Sequence, residues 1–343
     1  MSPCSKKLNT IVDAIHGSWM TKNKTFHCQA DRDEPVNDAD SRIRLTWEKR
    51  WDYLNTYFHR FINSTDSLIK NQEANDEIHK VIHRWSTALY NRMCPDADGC
   101  KTPIRRYHTP IHLEEMFGYV DILLSHVDDI LQLEENLERT QQGQEREREK
   151  RRSLNRSKDD IEATMILSIF FHDAIYDPKS SINEEDSAAL YRTFASEITC
   201  AIATMNSIPA TTNFPCLSSF DHGRVEQYIL ATKQHNVPPC ADICLKLFVD
   251  VDMAVLGKDE GAYEAYAKLI REEYIHVERN VYCEKRSQVL SSFVDNEKPI
   301  FASKVMRDAF EDKARRNIVR EIELLSKGIF PGEPLENGVL GGT

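Results

Sequence analysis

The chain has 343 residues, of which 41% are hydrophobic and 29% are charged, and its formal net charge is −11 at pH 7. This acidic balance argues against a general nucleic-acid-binding protein, and no apolar run approaches the length of a membrane span. The length allows one large domain or two ordinary ones, with a sizeable core.

Nine cysteines are scattered along the chain without a regular spacing, and the N-terminus lacks the long apolar stretch of a secretory signal. An odd number of cysteines without an export signal is typical of reduced thiols, so the expected localisation is cytoplasmic. Cys240 and Cys244 are four residues apart, as zinc ligands can be, but no second pair completes a site.

Residues 1–40 are polar and lack periodicity, and we expect them to be poorly ordered. From residue 41 the pattern turns helical, because apolar residues recur at spacings of mostly three and four. These are Leu45, Trp47, Trp51, Leu54, Tyr57 and Phe58. A second amphipathic segment, NDEIHKVIHRWSTALYN, precedes a turn. A third helix follows, which Thr109 can cap and in whose first turn Pro110 can lie.

Residues 134–160 are densely charged, and we interpret them as a solvated insertion that is helical in part. Asp159 and Glu162 give a weak capping signal before ATMILSIFF, which is apolar on all sides and is expected to form a central buried helix. Further helical stretches follow, and residues 329–343 are expected to be a disordered tail. The prediction is an all-α fold with one domain over residues 41–328.

Three places put imidazole or carboxylate groups into apolar surroundings. His112 lies in the first turn of the third helix, and His108 lies just before that helix. His172 and Asp173 follow an apolar run. Adjacent helical positions differ by about 100°, so both side chains can converge on one atom from a helix end.

The third place is LFVDVDMAVLG, where Asp250 and Asp252 point to nearly opposite sides of a helix. The residues three and four positions from Asp252 are all apolar, whereas Lys246 lies four residues before Asp250. We therefore expect Asp252 to face the core and Asp250 to pair with Lys246 at the surface. A divalent cation would remove the penalty for burying Asp252 together with His172 and Asp173.

Two imidazoles and two carboxylates suit manganese, iron, zinc, cobalt, nickel or magnesium, with positions left open for water and substrate. Such a metal lowers the pKa of bound water, and His108 could protonate a leaving group from outside the coordination shell. The spacing alone leaves other interpretations open. Each histidine can be structural, and Asp252 can be neutral or can pair with an arginine.

The order His112, His172–Asp173, Asp252 resembles the H…HD…D signature of the HD-domain superfamily of metal-dependent phosphohydrolases. The segment YHTPIH is similar to the YHNxxH element of the cyclic nucleotide phosphodiesterases in that superfamily, which implies His108 as the general acid and His112 as a ligand. Further blocks in order, among them FFHDAIYDPKSSINEEDSA, ILATKQH and VDMAVLG, resemble a family of predicted HD-type phosphohydrolases.

This resemblance runs from about residue 45 to 326 and implies an HD-domain helical bundle. It implies that the metal is held by four residues, His112, His172, Asp173 and Asp252, with Asp173 also counted as catalytic. His235 ends ILATKQH, as an added histidine does in HD enzymes with two metals. It can equally be a helix C-terminal residue that interacts with the helix dipole.

Other blocks give candidates with two open interpretations each. Glu184 either orients a water or a ligand histidine as a catalytic residue, or is an ordinary first-turn glutamate. Lys233 either meets a phosphate or is solvated, and Arg286 is a further candidate phosphate contact. Tyr176 stands where phosphodiesterases carry a second histidine, which argues against a cyclic nucleotide as the substrate.

The segment IREEY adds Arg271, Glu273 and Tyr274, which either bind an anion or form an internal ion pair, and we expect the ion pair. The predicted function is hydrolysis of a phosphoester or phosphoanhydride in a nucleotide or similar small metabolite, with neither a membrane nor a stable nucleic-acid partner. One alternative is an HD-fold di-iron oxygenase, which His235 would favour. The other is a non-catalytic metal- or ligand-binding HD module.

Overall fold

The computed structural model describes residues 7–17, 36–61, 68–94, 105–139, 157–205, 220–294 and 298–333. This part of the chain is all-α, which confirms the predicted class, and it contains no strand. The helices are α1 (7–17), α2 (Val36–His59), α3 (Leu68–Met93), α4 (Pro110–Ser125), α5 (Val127–Arg139), α6 (Lys158–Phe171), α7 (Asn183–Met205), α8 (His222–Ala231), α9 (Ile243–Asp252), a 3₁₀ helix (Met253–Gly257), α10 (Glu260–Glu273), α11 (Arg279–Val294) and α12 (Lys304–Ser326). Over the described ranges, no helix combines the length and apolarity that a membrane crossing requires.

Helix α6 lies at the centre of the bundle, as its all-round apolar sequence predicts. Every residue from Ala163 to Phe171 is buried, and the helix packs against α2, α4, α7 and α8. The helix begins differently from the predicted capping signal, because the N-cap is Ser157, whose hydroxyl accepts a hydrogen bond from the Asp160 backbone at 3.1 Å. His172 directly follows the last turn of this buried helix and is itself buried.

Aromatic packing fixes the outer helices against the C-terminal half of α6. The Trp51 ring of α2 stacks on Phe170 with centroids 4.7 Å apart, and Trp47 meets the same ring edge to face. Such pairs add to the stabilisation that burial of large rings provides. Leu45 differs from the predicted apolar face of α2, because half of its surface is exposed, whereas Ile43 and Trp47 are buried.

The start of the chain differs from the expectation of poor order over residues 1–40. Residues 7–17 form helix α1, which buries Leu8, Ile11 and Ile15 against the core, and α2 begins at Val36. These three apolar residues recur at spacings of three and four, so they form one stripe along a helix. Residues 1–6 and 18–35 lie outside the described residues.

The charged insertion predicted for residues 134–160 is shorter at both ends. Helix α5 continues to Arg139, α6 begins at Lys158, and residues 140–156 lie outside the described residues. Glu134 is buried rather than solvated, because its carboxylate accepts a hydrogen bond from the Lys304 backbone at 2.9 Å. In the predicted tail, Glu333 pairs with Arg279, and residues 334–343 lie outside the described residues.

Candidate metal centre and its cleft

Three helix ends bring the predicted ligands together. His112 lies in the first turn of α4, which begins at Pro110. Proline suits this position because the first N–H groups of a helix have no acceptor within the helix. Thr109 is the N-cap, but its hydroxyl makes no capping hydrogen bond, so proline and the extended backbone of Thr109 set the helix start. His172 and Asp173 follow the end of α6, and Asp252 ends α9.

The ligand atoms of these residues converge at one point. Those of His112, His172 and Asp173 all lie within 4.8 Å of one another. The carboxylate oxygen Oδ1 of Asp252 lies 3.0 Å from His112 Nε2 and 3.7 Å from His172 Nε2. The structure therefore brings two imidazoles and two carboxylates together, from three separate parts of the sequence.

The environment of His172 fits a metal ligand better than a structural histidine. Its Nδ1 lies 2.9 Å from the Ile169 carbonyl oxygen and donates its proton there, so Nε2 is the nitrogen that remains for a metal ion. The buried Nε2 has no hydrogen bond within the described residues, although Asp173 Oδ2 lies 2.9 Å away. A buried nitrogen without a hydrogen-bond partner, directed at two carboxylates, is what a bound divalent ion would satisfy.

His235 lies on the other side of Asp252. Its Nε2 is 2.9 Å from Asp252 Oδ2, so the two oxygens of one carboxylate face different histidines. His235 has a backbone φ of 49°, a left-handed conformation that is uncommon for residues other than glycine. His235 follows the turn after α8 and its imidazole faces the centre, although no metal is required to explain the contact.

Opposite charges attract strongly within the cluster. Burial lowers the pKa of His172, but the neighbouring carboxylates, Asp173 first, raise it to about 9. Burial raises the pKa of Asp252, but His112, His235 and His172 hold it well below its usual range. The carboxylates are therefore ionised at neutral pH and supply the negative charge that a divalent ion needs.

Of the two neighbouring aspartates, Asp252 lies where the sequence predicts and Asp250 does not. Asp252 faces the cluster. Asp250 is not at the surface with Lys246 but is 1% exposed, and it accepts hydrogen bonds from the Ala302 and Ser303 backbones and from the Ser303 hydroxyl at 2.6–2.7 Å. Ser303 is the N-cap of α12, so Asp250 fastens the start of that helix to α9. The prediction considered only neighbours along the helix, so it could not include Ser303 as a partner.

His108 lies beside the cluster, on the loop before α4. Its Nδ1 is 2.7 Å from Oε2 of Glu273, the last residue of α10. The same oxygen accepts a hydrogen bond from the Tyr176 hydroxyl at 2.7 Å, and the Tyr176 ring stacks on the His108 ring at 4.1 Å. Burial lowers the pKa of His108, but Glu273 and Asp173 raise it above its ordinary value overall.

Glu273 also holds the backbone of the His108 loop. Its Oε1 accepts hydrogen bonds from three consecutive backbone N–H groups, those of Arg106, Tyr107 and His108. The internal ion pair expected for the IREEY residues is present for Glu273, whose partner is His108, but Arg271 takes no part in it. Arg271 donates instead to backbone carbonyls of Tyr274 and Val277. In the sequence, Glu273 stands out only as a glutamate near apolar positions of α10, and its partner His108 lies 165 residues away.

Arg105 is a second positioning residue that the sequence did not reveal. Its buried guanidinium donates to the carbonyl oxygens of His108, Asp173 and Ala174. These bonds join the loop that carries His108 to the turn that carries Asp173, so the two side chains keep their relative positions.

An open cleft of about 420 Å³ leads to this centre, and the remaining candidates lie along it. Glu184 lines the cleft from the first turn of α7, but within the described residues it contacts none of the four predicted ligands through a hydrogen bond or ion pair. Lys233 lines the cleft too, and it is not simply solvated, because it pairs with Glu185 and donates to the Ser181 carbonyl. Arg286 forms part of the wall and pairs with Glu321.

Comparisons of the chain with family models, with curated proteins and with solved structures give no match. The residues and geometry of this cleft are therefore the observations that indicate a function.

Proposed function

We propose that this protein is a metal-dependent hydrolase of phosphate esters or anhydrides, with the fold of an HD-domain protein. The observation that carries the proposal is the convergence of His112, His172, Asp173 and Asp252 at the base of a cleft, beside His108. These four residues would hold the divalent ion. When bound, such an ion would make water a nucleophile at neutral pH and neutralise charge on a phosphate group.

His108 lies where a general acid could reach a substrate in the cleft. Its Nδ1 is engaged by Glu273, so proton exchange with a substrate would take place at Nε2. The raised pKa favours the imidazolium form near neutral pH, which can protonate the leaving oxygen when the bond to phosphorus breaks. His108 lines the cleft, so a substrate that reaches the centre also reaches this ring.

Asp173 would act both as a ligand and as an acceptor of hydrogen bonds from attacking water. Burial alone would raise its pKa, but His172 and His108 lower it, so it stays ionised through the physiological range. Glu184 lines the same cleft and could orient a second water.

The contact between Asp252 and His235 favours a second candidate function. Because one oxygen of Asp252 faces His112 and the other faces His235, Asp252 and His235 could together help to hold a second metal ion, if one is bound. Two irons at such a site would suit oxidation of a substrate by oxygen. Iron content of two per chain with oxygen consumption would support this candidate over hydrolysis.

A phosphate-release screen tests the proposal. Metal-stripped protein would be reloaded with manganese, cobalt, nickel, iron, zinc or magnesium and given nucleoside mono-, di- and triphosphates and simple phosphoesters. The proposal expects metal-dependent release that His108→Ala reduces and Asp173→Ala abolishes. Protein that binds a metal but releases no phosphate would contradict it, and oxygen uptake would then identify the oxygenase.

A further inference from the structure

Arg286 occupies an unusual place for a charged residue. It projects from α11 into the wall of the cleft that leads to Asp252 and His108. Its guanidinium is fixed from behind by Glu321 of α12, with Nε to Oε1 at 2.9 Å and a terminal nitrogen to Oε2 at 3.4 Å. Glu321 is itself fully buried and accepts a further hydrogen bond from the Tyr263 hydroxyl.

Aromatic rings connect this arginine to the metal centre. The Arg286 guanidinium carbon lies 5.7 Å from the centre of the Tyr266 ring. The Tyr266 ring lies 4.8 Å from the Tyr107 ring, which lies 4.6 Å from the His112 ring. Two tyrosine rings, those of Tyr266 and Tyr107, therefore lie between Arg286 and the ring of His112, and both tyrosines line the cleft.

An ion pair that only joins α11 to α12 would not explain why the arginine borders the cleft. Buried ion pairs add little net stability, because desolvation offsets their attraction. A guanidinium has five N–H donors in a rigid fork, and Glu321 takes two of them. Because the side chain is already held in place and is 13% exposed, an anion that binds its remaining N–H groups orders little further side-chain freedom.

Lys233 serves a different purpose, although it is the other lysine or arginine among the described lining residues. Its ammonium group pairs with Glu185 and donates to the Ser181 carbonyl, so it fastens α8 to the start of α7. Its partner Glu185 is exposed, whereas the partner of Arg286 is buried in the core.

We propose that Arg286, with the ring of Tyr266 beside it, forms a second anion-binding position in this cleft. The substrate of the proposed hydrolase is then a small organic phosphate that carries a second anionic group, either a second phosphate or a carboxylate. This inference rests on the proposed function. The rings of Tyr107 and Tyr266 between the two positions suit an uncharged, flat or apolar body that separates the two anionic groups.

Direct binding tests the inference without turnover. Full-length protein loaded with manganese would be titrated calorimetrically with alkane bisphosphonates of increasing chain length. Alkyl monophosphonates and carboxyalkyl phosphonates of the same lengths would be measured in parallel. We expect one chain length at which a second anionic group tightens binding about tenfold or more, which is the value of a charge-assisted hydrogen-bond pair. The comparison of phosphonate with carboxylate identifies the second group.

Arg286→Met combined with Glu321→Gln should abolish that difference. The double variant avoids a buried unpaired carboxylate, because glutamine can still accept the Tyr263 hydrogen bond without a charge. Arg271→Met is the matched control. It removes a guanidinium of the adjacent helix, bonded to carbonyls and stacked on Tyr282, that does not line the cleft, so it should keep the difference. Circular dichroism would verify that each variant folds.

Two results would overturn the inference in distinguishable ways. Equal affinities for mono- and bis-anions at every chain length in the unmodified protein would remove the second position and leave the proposed hydrolase intact. Failure of every phosphonate to bind in a manganese-dependent manner would count against the proposed function itself, and the second position would fall with it.

Discussion

The carboxylate of Glu273 holds His108 through two separate bonds, one to its backbone N–H at 3.1 Å and one to its ring Nδ1 at 2.7 Å. The glutamate ends α10, and the histidine precedes α4, so this contact fixes the proposed acid relative to a distant helix. The bonds decide which nitrogen faces the cleft and keep the imidazolium favoured. They explain why His108 can be protonated although burial opposes its charge.

Glu273→Gln should therefore lower the turnover number by about 10- to 100-fold and change the pH dependence. His108 acts in its protonated form, and loss of the negative charge lowers its pKa. The alkaline limb of kcat should consequently move to lower pH. Tyr176→Phe is the control, because it removes a hydrogen bond to the same carboxylate but keeps the charge. An alkaline limb that stays in place in Glu273→Gln would show that the glutamate does not tune this acid.

Asp252 and Asp250 give a matched pair of substitutions. Asp252→Asn should reduce bound metal at least about tenfold, measured by elemental analysis after equilibration with manganese, because a charged ligand is lost. Asp250→Ala should leave the metal content unchanged and lower the free energy of unfolding by about 2–3 kcal/mol, because it removes three buried hydrogen bonds at the start of α12. Metal loss in both variants to the same extent would contradict this division of roles.

A glycine packs closely where the 3₁₀ helix meets α12. A Cβ added at Gly257 would lie 2.5 Å from Phe310 Cβ, too close for any contact between carbons. Gly257→Ala should therefore destabilise the protein by about 1–3 kcal/mol in denaturant unfolding. Gly223→Ala in α8 is the comparison, because the added Cβ would meet a side-chain oxygen at 3.4 Å and the helix gains propensity. Equal stability of the two variants would argue against this packing.

His222, which does not line the cleft, should make the free energy of unfolding depend on pH. Burial lowers its pKa to about 4, and its Nε2 has no hydrogen bond within the described residues. The unfolded chain takes up a proton near the ordinary pKa of 6.5, whereas the folded protein resists protonation until about pH 4. The free energy of unfolding is therefore highest above pH 6.5 and declines as the pH falls toward 4, by on the order of 3 kcal/mol.

His222→Phe should flatten the dependence of unfolding free energy on pH over that window relative to the unmodified protein. The ring lies among Phe58, Phe220 and Tyr191, so phenylalanine fits the site, and loss of the hydrogen bond from the Tyr191 hydroxyl at 2.7 Å lowers stability without adding a pH dependence in this window. His79→Asn changes an exposed histidine and should keep the original slope. Identical slopes for His222→Phe and the unmodified protein would contradict the assignment.

The helical class and the centre of the fold could be predicted because their signals are local. An apolar run such as that of α6 requires burial on all sides, and its position in the middle of the chain suited a central helix. The choice of Asp252 over Asp250 also followed from neighbours three and four residues away. The surface position predicted for Asp250 was wrong, because Asp250 is buried against Ser303, which comes from another part of the chain.

The residues that support the site were missed for the same reason. Glu273 reaches His108 across 165 residues, and Arg105 reaches the Asp173 turn across 68 residues. Neither contact leaves a periodic pattern in the sequence. Helix α1 was missed because its three buried apolar residues lie within a polar stretch too short for a clear signal.

The most direct measurement is a titration of metal-stripped protein with manganese, with metal binding and phosphate release followed in the same samples, beside His172→Gln. Glutamine keeps a polar side chain at this position but removes the imidazole Nε2 that faces Asp173 and Asp252. We predict that phosphate release rises with bound manganese, and that the variant loses metal binding and release together. Release that is independent of added metal, or full metal binding by His172→Gln, would contradict the account.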